Sequence, residues 1–488
     1  EANLEIRVID GKEEARLAPL SALHHFDMFN TRYALIDIGG GSIEVITAMG
    51  NHIEEICSLE LGAVFLTEKF LRLDPIPPEE MKTLRKHLRK TIRKTLGLYA
   101  NVRPCISYHP FVTTKHPVMD VVIIRENEED LYAGIEHRQT QEVTQCLKLI
   151  TKPGSEKIIR FAFEYAKTYG RKKVTCFTKD NIMKLTDGLF HKTFEEVAAE
   201  YPEIESEHWI VDIGAAKLAD TPENFDVVVM PNLYGDILSD VAAQITGSVG
   251  LGGSANIGSG YAMFEAIHGS APRRAGQDMA NPSGLLLGAI QMLVYIGQPD
   301  VAEKIHNAWL RTLEDGVHTY DLYDEASSTK KVGTQGFADA VIERLGQKPE
   351  PLPAVSYAGA SQPKLFEYTP ETPEKKELVG VDVFLDWNEA GRDAEKLGQE
   401  LSKHTAGPLS LQLITNRGVK VYPEGMEETF CTDHWRCRFS SKKMDAVVAS
   451  GEVIQLQKSL DEAGFDIIKT ENLYRFDGKL GFSLGQGQ

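Results

Sequence analysis

The sequence predicts an α/β chain of about three domains, the last of them a small α+β module. Three observations carry this. Between residues 118 and 246, apolar strand-like runs alternate with helically spaced segments, the rhythm of βαβ units in a largely parallel sheet. Residues 347–378 hold six prolines and little periodicity, which reads as an extended linker. Beyond it, two alternating runs flank one helical run.

Composition narrows the class. The 488 residues carry 53 Lys and Arg against 71 Asp and Glu, a formal charge of −18. That balance argues against a dedicated nucleic-acid binder, because phosphate neutralisation needs clustered cations. The most apolar window, 285–297, is broken by Gln291 and too short to span a bilayer. Six scattered cysteines do not form a disulfide framework, so a reduced, cytoplasmic protein is expected. Cys431, His434 and Cys437 lie close together, but their spacing is not that of a structural zinc site.

The elements follow in order. Tyr33–Ile46 reads as strand, glycine turn, strand; Gly39, Gly40 and Gly41 would let the backbone approach a phosphate, with Asp37 and Glu44 at the strand ends. Residues 82–94 hold seven Lys or Arg and no acid, with Leu84, Leu88 and Ile92 in one row, the pattern of an amphipathic helix with a solvated basic face. Strands are expected at 118–124, 173–177 and 225–230, and helices at 156–169 and 236–246. After the linker, strands at 379–384 and 409–414 enclose a helix at 390–404.

Several groups suit chemistry. Asp236 and Asp240 stand one helical turn apart, and Asp212 follows a strand-like run; three carboxylates suit a hard divalent cation. Arg93, Arg103 and Arg125 could clamp a polycarboxylate through bidentate pairs. Lys184 and Tyr132 would serve as acid–base groups if buried near one another. Residues 250–255 lack the last glycine of a Rossmann fingerprint. The loop 264–276 instead offers His268, Gly269, Pro272, Arg273 and Arg274, which could wrap an adenosine and meet a 2′-phosphate.

Two family resemblances follow from these motifs. Residues 11–17, 37–42 and 61–70 are similar to the exopolyphosphatase/guanosine pentaphosphate phosphatase family, of the actin-like ATPase fold; the resemblance implies Glu14 as its carboxylate and 37–44 as a phosphate loop. From about Arg93 to Gln488, the runs 98–104, 125–136, 181–184, 232–240, 268–272 and 433–439 resemble the NADP-dependent isocitrate dehydrogenases, in the bacterial form with a C-terminal extension. That resemblance implies an isocitrate/isopropylmalate dehydrogenase-like fold and a homodimer with shared active sites. It implies Arg93, Arg103 and Arg125 on the substrate, and Mg2+ or Mn2+ on Asp236 and Asp240 with a partner-supplied Asp212. Lys184, also partner-supplied, would take the hydroxyl proton, and Tyr132 would protonate the enol carbon. His268, Gly269, Asn281, Tyr320 and Asp321 would contact NADP. Arg273 and Arg274 would keep the cationic character suited to its 2′-phosphate, while Asp324 stands where some members carry an arginine.

These readings divide the chain into 1–92, a phosphatase-like fragment; 93–246, a substrate and dimer domain; 247–346, the remainder of an incomplete large cofactor domain; 347–379, the linker; and 380–488. At the family's spacing, a Ser and an Asn that bond isocitrate would fall on His87 and Arg89. The two resemblances meet inside 83–94, where Leu-Arg-Lys occurs twice. Oxidative decarboxylation of isocitrate is therefore the leading expectation. Polyphosphate or guanosine pentaphosphate hydrolysis by the N-terminal segment, or an inactive chimera, are the alternatives.

Overall fold

The computed structural model describes residues 95–484 apart from 270, 360, 361, 367, 371 and 427, and before them 32–38, 43–49, 52–59, 63–70 and scattered positions from 80 to 93. Its contacts gather into two compact units that cross the linear order. One holds 1–128, 221–223 and 239–362; the other holds 129–220, 224–238 and 363–488. Among the described residues no helix is long and apolar enough to cross a membrane.

In the first unit, strands Arg32–Ile38, Ile43–Met49 and His52–Leu59 form an antiparallel meander, followed by helix Ala63–Phe70. The expected hairpin is present, with Asp37 opposite Glu44 in register. Glu14 and residues 39–42 lie outside the described residues. In the basic run, the described positions 83, 84, 87, 88, 91 and 93 are helical, Leu84 is buried and Thr83 exposed, as an amphipathic helix requires. The run's other cations lie outside the described residues.

The same unit holds strands Ala100–Ile106, Asp120–Glu126, Gly253–Ile257 and Ala262–Ala266, and here the parallel expectation is corrected. All three pairings are antiparallel. The reason is local: residues 107–119 contain no helix and 258–261 are a turn, so neither connection can cross over to a parallel neighbour. Helix Ser283–Tyr295 packs closely on this sheet, because a Cβ on Gly284 would lie 2.8 Å from the Gly252 carbonyl oxygen and one on Gly288 3.0 Å from that of Glu265. Behind it, Trp309, Leu313 and Phe337 form a buried core with Tyr108, Leu251 and Leu287. The linker expectation also changes. Residues 350–357 are docked on helix Pro299–Glu314 rather than free: Glu314 accepts the Glu350 and Leu352 N–H groups, and Asn307 bonds both backbone groups of Val355.

In the second unit the βαβ expectation holds. Strands Val227–Met230, Lys173–Thr178 and Glu205–Ile210 are parallel, linked through helices Thr186–Ala198 and Val211–Asp220 and packed by helix Lys152–Thr168. The C-terminal module is an antiparallel six-stranded sheet with helices Ala394–Leu401 and Ser450–Glu462; its central strand, Lys376–Asp386, begins inside the expected linker. The hairpin Glu136–Arg138/Thr144–Cys146 is tied to this module by a bidentate Arg392–Glu142 pair and by Thr140 donating to Asp433 at 2.6 Å.

Candidate active site

Strand register builds the first group of residues. Asn101 lies opposite both Arg125 and Asn256, and Ser254 lies opposite Glu265. Because side chains alternate along a strand, Glu265, Ser254, Asn256, Asn101, Arg103 and Arg125 all project from one face. Arg103 and Arg125 are diagonal neighbours there, about 7–8 Å apart at Cα. The face is buried yet polar: Asn101, Asn256 and Ser254 are fully covered, and Arg103 and Arg125 nearly so.

Hydrogen bonds run along this face without a break. The Arg103 guanidinium donates through Nε to Asn101 Oδ1 at 2.7 Å and through Nη1 to Ser239 Oγ and Asp240 Oδ1. Asn101 donates to Ser254 Oγ at 2.7 Å and Asn256 Oδ1 at 2.9 Å. Asn256 in turn donates to Glu265 Oε1 at 3.1 Å, and Glu265 also pairs with Arg93. Arg93 Nε is buried and has no hydrogen-bond partner among the described residues. Asp240 remains 58% exposed. His87, at the position of the family's substrate serine, packs its ring on Phe70; Arg89 lies outside the described residues.

A pocket of about 490 Å3 opens in the same unit. Its lining includes His268, Gly269, Arg274, Asn281, Tyr320 and Asp321, so six of the seven expected cofactor residues share one wall; Arg273 is exposed and does not line it. Asp321 and Asn281 shape the wall. Asp321 accepts from Ser248, Asn281 and Thr319, and Asn281 Oδ1 takes the Ser283 N–H at 2.9 Å near the start of helix Ser283–Tyr295. Arg274 stacks its guanidinium on Tyr320, 4.8 Å from the ring centre, leaving a cationic group at the pocket. Asp324 is turned to other work: it accepts from the Ala326 N–H and from Thr113, which hold its carboxyl below the ordinary range, and it does not line the pocket.

The second unit carries the remaining residues. Asp236 lies on helix Asn232–Ile245, and Tyr132 donates its phenol hydrogen to Asp236 Oδ2. Tyr132 is 38% exposed and Lys184 is exposed, so the two are not the buried pair that acid–base chemistry within one chain would need. Asp212, in the first turn of helix Val211–Asp220, accepts from Lys179 Nζ at 2.6 Å, and that bond holds its carboxyl below its usual value.

One largely covered ammonium organises this part. Lys148 Nζ lies 3.1 Å from Asp130 and 3.0 Å from Asp187, both fully buried. Asp130 accepts the Leu233 N–H at 2.8 Å, fixing the start of the helix that bears Asp236, and holds a backbone φ of +64° two residues before Tyr132. Asp187 accepts the Lys179 N–H and the Tyr234 hydroxyl, anchoring the turn that runs to Lys184. Burial, with the Asp187 charge beside it, pushes the Tyr234 phenol well up.

The cysteine–histidine group gathers no metal site: Cys437 is fully buried in a strand, His434 faces Gln145, and the Cys431 thiol turns to the Thr429 carbonyl. Sequence reading missed the chain Ser254–Asn101–Asn256–Glu265. The available signal was polar residues placed inside otherwise apolar strands.

With both groups placed, the fold and site define a class. The isocitrate/isopropylmalate dehydrogenase model matches residues 74–341, more than half of the chain, and the chain belongs to that family. The bacterial isocitrate dehydrogenase C-terminal domain matches 376–488. The Ppx/GppA phosphatase family matches 1–102, so it overlaps the dehydrogenase match across 74–102, the stretch holding the basic run. The chain is 54% identical over 405 residues to isocitrate dehydrogenase (NADP) of Rickettsia felis, covering 83% of each. Against the enzyme of that name from Thermus thermophilus it is 44% identical, covering 82% of this chain and 79% of the relative. A crystal structure of a Thermus thermophilus protein matches with a TM-score of 0.75 at 43% identity, covering 82% of this chain and 80% of that one.

Proposed function

We propose that this chain oxidises and decarboxylates isocitrate to 2-oxoglutarate and CO2 while reducing NADP. The observation that carries the reading is the buried polar face bearing Arg103 and Arg125, joined through Glu265 by Arg93, whose Nε has no hydrogen-bond partner among the described residues. Buried donors are ordinarily satisfied, so a polycarboxylate is the natural complement to this arrangement, and the 44–54% identical relatives named isocitrate dehydrogenase (NADP) support the same substrate.

In this reading the three guanidiniums bind and orient the carboxylates through charge-assisted hydrogen bonds. Asp236 and Asp240, with Asp212 of the partner subunit, offer oxygen donors only, which fits Mg2+ or Mn2+. Such a cation, when bound, supplies Lewis-acid polarisation of substrate oxygens. Lys184 of the partner subunit receives the hydroxyl proton, and Tyr132 returns a proton to carbon after CO2 departs. The pocket of His268, Asn281 and Tyr320 fits an adenosine, and Arg274, with Arg273 nearby, suits its 2′-phosphate. The working form is a homodimer in the cytoplasm.

The test is NADPH absorbance with isocitrate and Mn2+. Turnover is expected in the wild type and abolished in Asp236→Asn with the melting temperature retained. No NADPH formation by the wild type, with phosphate released from polyphosphate, would move the activity to residues 1–102.

A further inference from the structure

A second cluster of ligating side chains lies in the parallel half of the second unit, apart from every residue assigned above. Asp180 follows strand Lys173–Thr178, His191 lies on helix Thr186–Ala198, and His208 lies on strand Glu205–Ile210. One ligand atom from each falls within 4.8 Å of the other two, the sole trio of this kind among the described residues. Asp180 Oδ2 is 2.7 Å from His191 Nδ1, and Asp180 Oδ1 is 3.9 Å from His208 Nε2. The imidazoles stack face to face with centres 3.5 Å apart.

We propose that Asp180, His191 and His208 form a binding site for a borderline divalent transition cation of the zinc class. Two observations point to a ligand rather than to a structural histidine pair. Asp180 Oδ1 is buried beside both rings and makes no hydrogen bond of normal geometry, with the Thr178 hydroxyl acting on the carboxyl only weakly, in a place where acceptors are ordinarily well satisfied. The donor set, two imidazole nitrogens and a carboxylate, is one that zinc, cobalt or nickel prefers and magnesium does not.

The surroundings supply outer-sphere partners. With a cation on His191 Nδ1, the neutral ring carries its hydrogen on Nε2, which faces Glu195 Oε1 at 3.7 Å. Thr178 Oγ1, 2.7 Å from His208 Nε2, stands beside the remaining position and can hold a bound water. The stacked rings must fan apart, since parallel imidazoles do not aim their lone pairs at one point. Both are partly exposed, which gives them room to do so and gives a cation a way in.

Occupancy would cross-link three segments. Asp180 adjoins Lys179, the partner of Asp212, and the same turn leads on to Lys184. The site therefore fastens, at its far side, the turn and the strand that present those two residues.

The experiment uses full-length, chelator-stripped protein with Mg2+ and isocitrate in excess, so that the carboxylate site is filled. Co2+ is then titrated and its visible d–d absorption followed. One tightly bound Co2+ per chain with an intense, low-symmetry band is expected. His191→Gln and His208→Asn should each weaken it at least tenfold and remove the band, as should the near-isosteric Asp180→Asn. In parallel, Zn2+ should raise the melting temperature of the wild type and not of the variants. A wild type with no band, or a band and a Zn2+-dependent rise that persist in the variants, overturns the proposal.

Discussion

The antiparallel sheet of the first unit and the six-stranded sheet of the C-terminal module both bury arginines, and they satisfy them differently. In the module, Asp382 and Arg438 are fully buried and face one another in register across neighbouring strands. Asp382 accepts from Arg438 Nε and Nη2 and from Arg436 Nε, while Arg438 Nη1 reaches the Ser483 carbonyl and its guanidinium rests on Phe482. The knot closes on itself. In the first unit the chain from Glu265 to Arg103 reaches the half-exposed Asp240 on one side and, on the other, Arg93, whose Nε has no hydrogen-bond partner among the described residues. A buried charge matched by protein groups maintains a fold; one left partly unmatched marks a place where something else binds.

The comparison is most sharply broken at Arg103. Arg103→Met should lower kcat/KM for isocitrate about a thousandfold or more, roughly 4 kcal/mol of lost transition-state stabilisation, and isocitrate should no longer raise the melting temperature. Retention of substrate-induced stabilisation would show that the open end lies elsewhere. Asp382→Asn reverses the pattern. Leaving two guanidiniums without their carboxylate should cost about 3–5 kcal/mol of stability, read by denaturant unfolding, while turnover per folded molecule stays unchanged. A cost below about 1 kcal/mol would mean that water already satisfies the knot.

The smallest effect concerns a group buried in its neutral form. Burial lowers the His306 pKa to about 4, and its Nδ1 pairs with the Tyr357 hydroxyl at 2.7 Å. Between pH of about 6.5 and 4 the unfolded chain binds the extra proton, so stability falls as pH is lowered through that window, by at most about 3 kcal/mol, and no further below it. His306→Gln should flatten this part of the profile in melts from pH 7 to 4. An unchanged slope would place the acid sensitivity in other groups.

Local patterns were readable where local chemistry decides. The apolar runs at 173–178 and 227–230 became strands within two residues of expectation, and the aspartates one turn apart on helix Asn232–Ile245 were visible from spacing alone. Alternation does not reveal strand direction, so the antiparallel pairing of Ala100–Ile106 escaped; only the absence of a helix in 107–119 hints at it. Nor does composition show register. Asn101 and Asn256 look like isolated polar residues until distant strands place them face to face. The Asp180, His191 and His208 trio is hidden for the same reason, since its members come from a turn, a helix and a strand. The proline-rich run misled because proline content reports a lack of regular structure, whereas the docking of 350–357 depends on Glu314 and Asn307, far away in sequence.

The bond between Asn101 and Asn256 spans 155 residues, and that separation has a consequence for biogenesis. At about 5–20 residues per second, the ribosome needs roughly 6–26 s after making the first hairpin, which ends at Glu126, before it delivers the strand Gly253–Ile257 that covers it. Throughout that interval Ala100–Ile106 is a naked edge with Arg103 uncovered. The nascent chain therefore passes through a window in which the face proposed to bind substrate presents an unpaired edge to chaperones and to neighbouring chains on the same message.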